Sequence, residues 1–184
     1  MNDVIFDLAE KMEKSVDGFK KELSKIRTGR ASLAILDGIH VDAYGSSMPL
    51  NQVGTLTIPE SRLIAIQPWD PQLLPAIEKA ILKSDIGLNP ASDGKIIRLN
   101  IPQLTEERRK DIVKSVRKTA EEFRVAIRNV RRDAIETLKK MKKDKEISED
   151  DLFKLQEDAQ SETDSYIKLI DDATASKEKE VMEV

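Results

Sequence analysis

Every proline of this chain falls between Pro49 and Pro102, and from Gln103 to Val184 there is neither glycine nor proline. Residues 1–28 hold Gly18 and no proline. Proline lacks the backbone donor a helix interior needs, and glycine weakens a helix through its backbone entropy. Two breaker-free flanks therefore enclose a breaker-rich middle, residues 30–103. The middle reads as an insertion between helical segments, and the chain crosses into and out of it near Gly29-Arg30 and Pro102-Gln103.

The first flank carries Ile5, Leu8, Met12, Val16, Phe19, Leu23 and Ile26. These are steps of three or four residues, the spacing of one helix face. After Thr105, a good N-cap followed by Glu106 and Glu107, the pattern predicts a long helix. Its stripe is Val113, Val116, Ala120, Phe123, Ile127, Val130, Ala134, Leu138 and Met141, close to a heptad. A third helix is predicted from Ser148, with Asp151 in its first turn and a stripe of Leu152, Leu155, Ala159, Thr163, Tyr166, Ile170 and Ala173. The short link Lys145-Glu146-Ile147 makes the second and third helices antiparallel neighbours. Each of these two would be about 60 Å long, and one narrow stripe cannot stabilise such a helix alone. A long two-helix coiled coil would leave the first stripe unburied, so three helices facing inward are expected.

In the middle, Ile39, Val41 and Ala43 alternate with His40, Asp42 and Tyr44, as in a half-buried strand. Val53–Ile58, Arg62–Ile66 and Lys95–Ile101 are further strand candidates, and Pro71–Lys83 has helical spacing with Pro75 in its first turn. The expected fold class is α+β. An elongated antiparallel three-helix bundle (residues 1–29 and 104–184) carries an inserted small mixed α/β domain (30–103), joined by a two-strand hinge.

Composition closes several routes. There is no Cys and a single His, His40. Disulfides, thiolate chemistry and Cys-based zinc sites are excluded, and a reducing cytoplasm fits. No apolar run approaches the roughly 20 residues of a membrane helix, and Met1-Asn2-Asp3-Val4 does not open a secretory signal. The seven glycines are scattered, so no phosphate loop is present. No catalytic residue, metal site or cofactor is expected. His40 reads as a surface or packing side chain. Glu149, Asp150 and Asp151 read as the acids of a helix N-terminus rather than a metal site. In Pro68-Trp69-Asp70-Pro71, Trp69 is expected to pack and Asp70 to cap the following helix.

The net charge of −3 conceals an asymmetry. Residues 108–145 hold fifteen Lys and Arg against six Asp and Glu, while 146–184 hold four against thirteen. One explanation is mutual attraction between two oppositely charged helices. That leaves Arg124, Arg128, Arg131 and Arg132 unaccounted for, since three- and four-residue steps line them up as a ridge along one helix side. Guanidinium groups are permanently charged and match phosphate geometrically. With few aromatics for base stacking, such a ridge suits the backbone of a folded RNA. Arg128 and Arg131 are both expected to be largely exposed.

Several segments carry a resemblance. Lys25-Ile26-Arg27-Thr28-Gly29-Arg30-Ala31, Ser84-Asp85-Ile86-Gly87-Leu88-Asn89-Pro90 with Asp93-Gly94, and Leu104-Thr105-Glu106-Glu107-Arg108-Arg109 are similar to signatures of the bacterial ribosome recycling factor family. So are Arg128-Asn129-Val130-Arg131-Arg132-Asp133 and Asp144-Lys145-Glu146-Ile147-Ser148-Glu149-Asp150-Asp151. The resemblance runs through the whole chain in order. One departure is Ala43-Tyr44 before Gly45, where the family usually has two aromatics.

The resemblance implies a translation factor that is not an enzyme. It would seat its bundle against large-subunit ribosomal RNA at the A and P sites of the post-termination ribosome. With elongation factor G and that factor's GTP hydrolysis, it would split the ribosome and release messenger RNA and deacylated tRNA. Arg27, Arg109, Arg128 and Arg131 would contact ribosomal RNA, with Arg132 and Lys25 as further contacts. The inserted domain would meet elongation factor G. Thr28, Gly29, Arg30, Pro102 and Gln103 would form the hinge, and the protein would be a cytoplasmic monomer. The competing class is a coiled-coil adaptor or holdase, which explains amphipathic helices but not the arginine ridge and the crossing motifs together.

Overall fold

The computed structural model describes residues 3–183. They divide into two compact units. One runs to Thr28 and resumes from Thr105 to Glu183; the other is Gly29–Leu104.

The first unit is a three-helix bundle of α1 (Asp3–Ser24), α3 (Glu106–Lys143) and α4 (Glu149–Met182). At about 1.5 Å per residue, the 38 residues of α3 and 34 of α4 give rods of about 57 and 51 Å. Thr105 starts α3 by accepting the Arg108 N–H on its side chain. Ser148 starts α4 with a reciprocal capping box to Asp151, satisfying two donors a helix start would otherwise leave bare. Lys145 takes a left-handed φ of 59° in the turn between them, which lets the chain reverse in so few residues. Leu8, Met12, Phe19, Val116, Ala120, Ile127, Leu138, Ala159 and Ile170 are sealed from solvent along the shared seam. Each large side chain so buried contributes roughly 1.5–3 kcal/mol. The Phe19 and Phe123 rings meet at 5.4 Å, tilted by 49°. Thr163 and Thr174 are buried too, and each hydroxyl donates to the carbonyl four residues back, at 2.6 and 2.7 Å, so neither is orphaned.

The stripes differ in detail from the sequence pattern. Ile26 lies beyond the end of α1 and is half-buried, Ile112 is buried where Val113 is only half so, and the α4 stripe continues through Thr174 to Val181. A helix turns 3.6 residues, not 3.5, so a long stripe slides gradually across its face.

The second unit holds β1 (His40–Ala43), β2 (Ser46–Pro49), β3 (Gly54–Glu60), β4 (Leu63–Pro68), α2 (Leu74–Lys83), β5 (Pro90–Ser92) and β6 (Ile97–Asn100). β1 and β2 form a hairpin, His40 opposite Pro49 and Ala43 opposite Ser46. Its two loop residues, Tyr44 and Gly45, both have positive φ, 52° and 79°, as a type I′ turn requires. The remaining strands form an antiparallel sheet in the order β3-β4-β6-β5. Val41, Ala43, Ile64, Ile66, Ile77, Ile81, Ile97 and Leu99 close an entirely aliphatic core between strands and α2. β2 and β5 escape sequence reading because they are short and built mostly from Ser, Pro and Ala, with Met48 their one large apolar side chain.

Asp70 caps the turn before α2 as expected, accepting the Gln72 N–H at 2.9 Å. Trp69 does not pack: it is 66% exposed, with its indole N–H donating to the Thr55 hydroxyl at 3.0 Å. Extended backbone at the end of β4 sends successive side chains to opposite faces, and the buried place in the pair 68–69 is taken by Pro68.

Candidate nucleic-acid interface on the bundle

A helix advances 100° per residue, so a position four after the buried Ile127 lies about 40° from it and a position one after lies about 100° away. Arg131 therefore sits on the shoulder of the α3 core stripe and Arg128 well outside it. Arg128 is exposed, as expected, whereas Arg131 is half-buried. Its Nη1 donates to the Gln160 side-chain oxygen on α4, and its Nε is buried with no partner.

The ridge sorts by partner. Arg124 keeps only 22% of its side chain in solvent. Its Nε donates to Asp171 of α4 at 2.8 Å and its Nη1 to Glu121 at 3.1 Å. Arg117, which the sequence reading did not single out, grips Glu178 of α4 with two hydrogen bonds, at 2.6 and 3.1 Å. These two act as clamps between α3 and α4, and Lys142 reaches Glu149 at 3.2 Å near the connecting turn. Arg128 shares Glu121 at 3.0 Å and is bonded only within its own helix, as is Arg132, which donates to Asn129 at 2.7 Å. Arg128 and Arg124 hold the Glu121 carboxyl below its usual range, and Arg117 does the same for Glu178. Mutual attraction of the helices thus accounts for part of the basic row. Arg128 and Arg132 remain on the outer side with their charges available to a polyanion.

The other candidate residues sit elsewhere on the same unit. Arg109 in the first turn of α3 is half-buried with its Nε unpartnered. It is about 28 Å along the helix from Arg128 at 1.5 Å per residue. Lys25 and Arg27, just past α1, are exposed, and Lys25 pairs with Glu22 at 2.7 Å. The six cationic residues therefore do not converge on a point. They are spread over a long surface, an arrangement suited to an extended charged backbone rather than a small ligand. Among the described residues no three His, Asp or Glu side chains are grouped so as to hold a metal ion, and none of their helices is long and apolar enough to cross a membrane.

Of the crossing residues, Thr28 is buried at 4% exposure and donates its hydroxyl to Glu180 near the end of α4, at 3.0 Å. Gly29 has φ 78°, a conformation that a Cβ disfavours. Arg30, Pro102 and Gln103 are exposed. Glu180 and Gln160 contribute to these environments without having stood out in the sequence. Neither lies in a motif, and only the pairing of α4 with its neighbours gives them a role.

A three-helix bundle interrupted by an antiparallel α+β insertion, with arginines along one helix, is the architecture that the sequence resemblance implies for a translation factor of the recycling type. The family model described as ribosome recycling factor matches residues 19–182. The chain is 73% identical over 127 residues to the ribosome-recycling factor of Desulfotalea psychrophila, 69% of each chain. It is 56% identical over 125 residues to that of Geotalea uraniireducens, 68% of each. Among solved structures, a solution structure of the ribosome recycling factor aligns with TM-score 0.78 and 43% identity, covering 99% of this chain and 97% of the other. A second structure gives models for the T. thermophilus ribosome recycling factor and the E. coli elongation factor G bound to the E. coli post-termination complex. Its recycling factor aligns with TM-score 0.63 and 44% identity over 98% of this chain and 97% of that one. The chain belongs to the ribosome recycling factor family.

Proposed function

We propose that this protein recycles ribosomes after termination. It binds the post-termination ribosome and, with elongation factor G and that factor's GTP hydrolysis, splits it into subunits and frees messenger RNA and deacylated tRNA. The observation that carries the reading is the likeness, over 98% of the chain, to a recycling factor bound with elongation factor G to a post-termination complex. The protein itself hydrolyses nothing, works as a monomer and resides in the cytoplasm.

In this reading the bundle (1–29 and 104–184) lies against large-subunit ribosomal RNA at the A and P sites. Arg27, Arg109, Arg128, Arg131, Arg132 and Lys25 supply the phosphate contacts. The inserted domain (30–103) meets elongation factor G, and Thr28, Gly29, Arg30, Pro102 and Gln103 let it turn. The long helices free of Gly and Pro support the role of the bundle as a rod that transmits force. Gly29, at positive φ, supports a bend at the first crossing.

The test is light scattering of post-termination ribosomes mixed with the protein, elongation factor G and GTP. Splitting is expected only when all are present. Arg128→Ala should weaken large-subunit binding about tenfold, or about 1.4 kcal/mol, and make the salt dependence shallower by about one unit. Wild-type ribosome affinity in that variant would remove Arg128 from the interface, and the absence of splitting by the unaltered protein would overturn the function.

A further inference from the structure

Arg117, Arg124 and Lys142 reach from α3 to α4, and each ends on a carboxylate: Glu178, Asp171 and Glu149. Arg131 crosses between the same two helices and ends on an amide. Its Nη1 donates to Gln160 Oε1, and Gln160 Nε2 donates in turn to Asp164 Oδ1 at 2.8 Å, four residues further along α4. A guanidinium only donates and a carboxylate only accepts, so the two ends of this relay fix the amide between them in one orientation. Turned over, the amide would set its NH2 against the guanidinium and its oxygen against the carboxylate.

Holding a cation and cancelling its charge are separate effects. A carboxylate partner does both, whereas an amide does only the first. Among the described residues Arg131 forms no ion pair, and Asp164 is kept one amide's length away from it. The Arg131 stem is half-buried, and its Nε is sealed from solvent. Its Nη2 is neither sealed nor bonded to another described residue. The guanidinium is therefore anchored on one edge and open on another, with its charge intact. Arg132 repeats the device within α3, donating to the Asn129 side-chain oxygen at 2.7 Å. A long side chain fixed in advance loses less freedom when it meets its ligand. A contact serving only to clamp α3 to α4 would be made at least as well by a glutamate, since charged hydrogen bonds are the stronger ones. We propose that Gln160 is a positioning residue for RNA binding: a neutral tether, aimed by Asp164, that presents Arg131 to a phosphate without cancelling its charge. The inference rests on the reading of Arg131 as a ribosomal RNA contact.

The test measures affinity for the isolated large ribosomal subunit at several salt concentrations, together with melting temperature, on the full-length protein and its variants. Gln160 is exposed, so Gln160→Ala should keep the melting temperature. It leaves Arg131 charged but loose, and should lower affinity about fivefold with the salt slope unchanged. Gln160→Glu keeps the tether and cancels the charge. It should lower affinity about tenfold or more and make the salt slope shallower by about one unit. In an Arg131→Ala background, Gln160→Ala should cause no further loss, which is the coupling expected of a residue that acts through another. Three results overturn the positioning role: the affinity of the unaltered protein in Gln160→Ala, the same affinity in Gln160→Glu, or an undiminished loss from Gln160→Ala in the Arg131→Ala background. If Arg131→Ala alone weakens binding, any of these removes the positioning role and leaves the interface standing. If the unaltered protein does not bind the large subunit, or Arg131→Ala binds as tightly as it does, the reading on which the inference rests is overturned, and the inference with it.

Discussion

In the bundle each of three helices offers one apolar stripe, and burial is a long seam only a few side chains wide. In the inserted unit, short strands and α2 enclose a compact core with no polar side chain in it. The seam tolerates Thr163 and Thr174 because a helix supplies its own carbonyl four residues back to receive each hydroxyl. The two regions also differ in charge. The bundle sets a basic α3 against an acidic α4, and part of that charge is paired between them, at Arg117–Glu178 and Arg124–Asp171. The inserted unit is nearly balanced, with six Lys and Arg against seven Asp and Glu between residues 29 and 104. The contrast teaches that one unit can segregate its charge strongly between two helices while the other keeps it balanced, and that the net charge of the chain describes neither.

The largest effects should come from breaking one core and watching the other. Phe19→Ala removes a fully buried ring that packs on Phe123, and should destabilise the bundle by about 3–5 kcal/mol. Ile66→Ala should cost the inserted unit about 2–5 kcal/mol. Calorimetry of each variant should show one transition lowered and the other close to its original temperature. Equal lowering of both by either substitution would mean that the two regions unfold as one.

A smaller effect sharpens the division within α3. Arg124 is mostly buried between Asp171 and Glu121, so Arg124→Ala should cost about 1–2 kcal/mol, as loss of charged hydrogen bonds does. Arg128 is exposed and paired only within its own helix, and Arg128→Ala should cost less than about 0.5 kcal/mol. Denaturant midpoints decide it. Equal losses would show that the outer arginine is also a clamp.

The smallest effect is acid sensitivity. The backbone N–H of Ile96, then the Arg98 guanidinium and the Lys95 N–H, hold the Asp93 carboxyl well below the usual carboxylate range. In the bundle, Glu121, Glu178 and Asp151 are lowered by Arg128, Arg117 and Ser148 respectively. A lowered folded pKa means stability that is complete above the unfolded value of about 4 and is lost as pH falls through the folded value. Both regions should therefore lose melting temperature below about pH 4. Asp93→Asn should flatten that decline for the inserted unit alone, as read by melting curves between neutral and acid pH.

Much of this protein was legible in its residues. The breaker-free flanks, the three- and four-residue spacing, Thr105 and the Ser148–Asp151 box specify the long helices, because helix geometry and its caps are local. The alternation at Ile39–Ala43 and the turn-bounded run at Arg62–Ile66 specify strands for the same reason. The family motifs also lay in the chain. Tertiary structure alone decided the rest. A stripe of arginines has one spacing whatever its partners. Only the approach of α4 separates Arg124 and Arg117, which clamp, from Arg128 and Arg132, which do not, and moves Arg131 from the expected open surface to a half-buried place beside Gln160. Likewise the pattern around Trp69 predicts a packed ring, whereas the strand's direction at Pro68 turns it outward toward Thr55. β2 and β5 exist because β1 and β6 offer them backbone partners, not because their own side chains favour a strand. Local preference acts over a few residues, while exposure, pairing and charge availability depend on neighbours distant in the chain, and these exist only once the chain has folded.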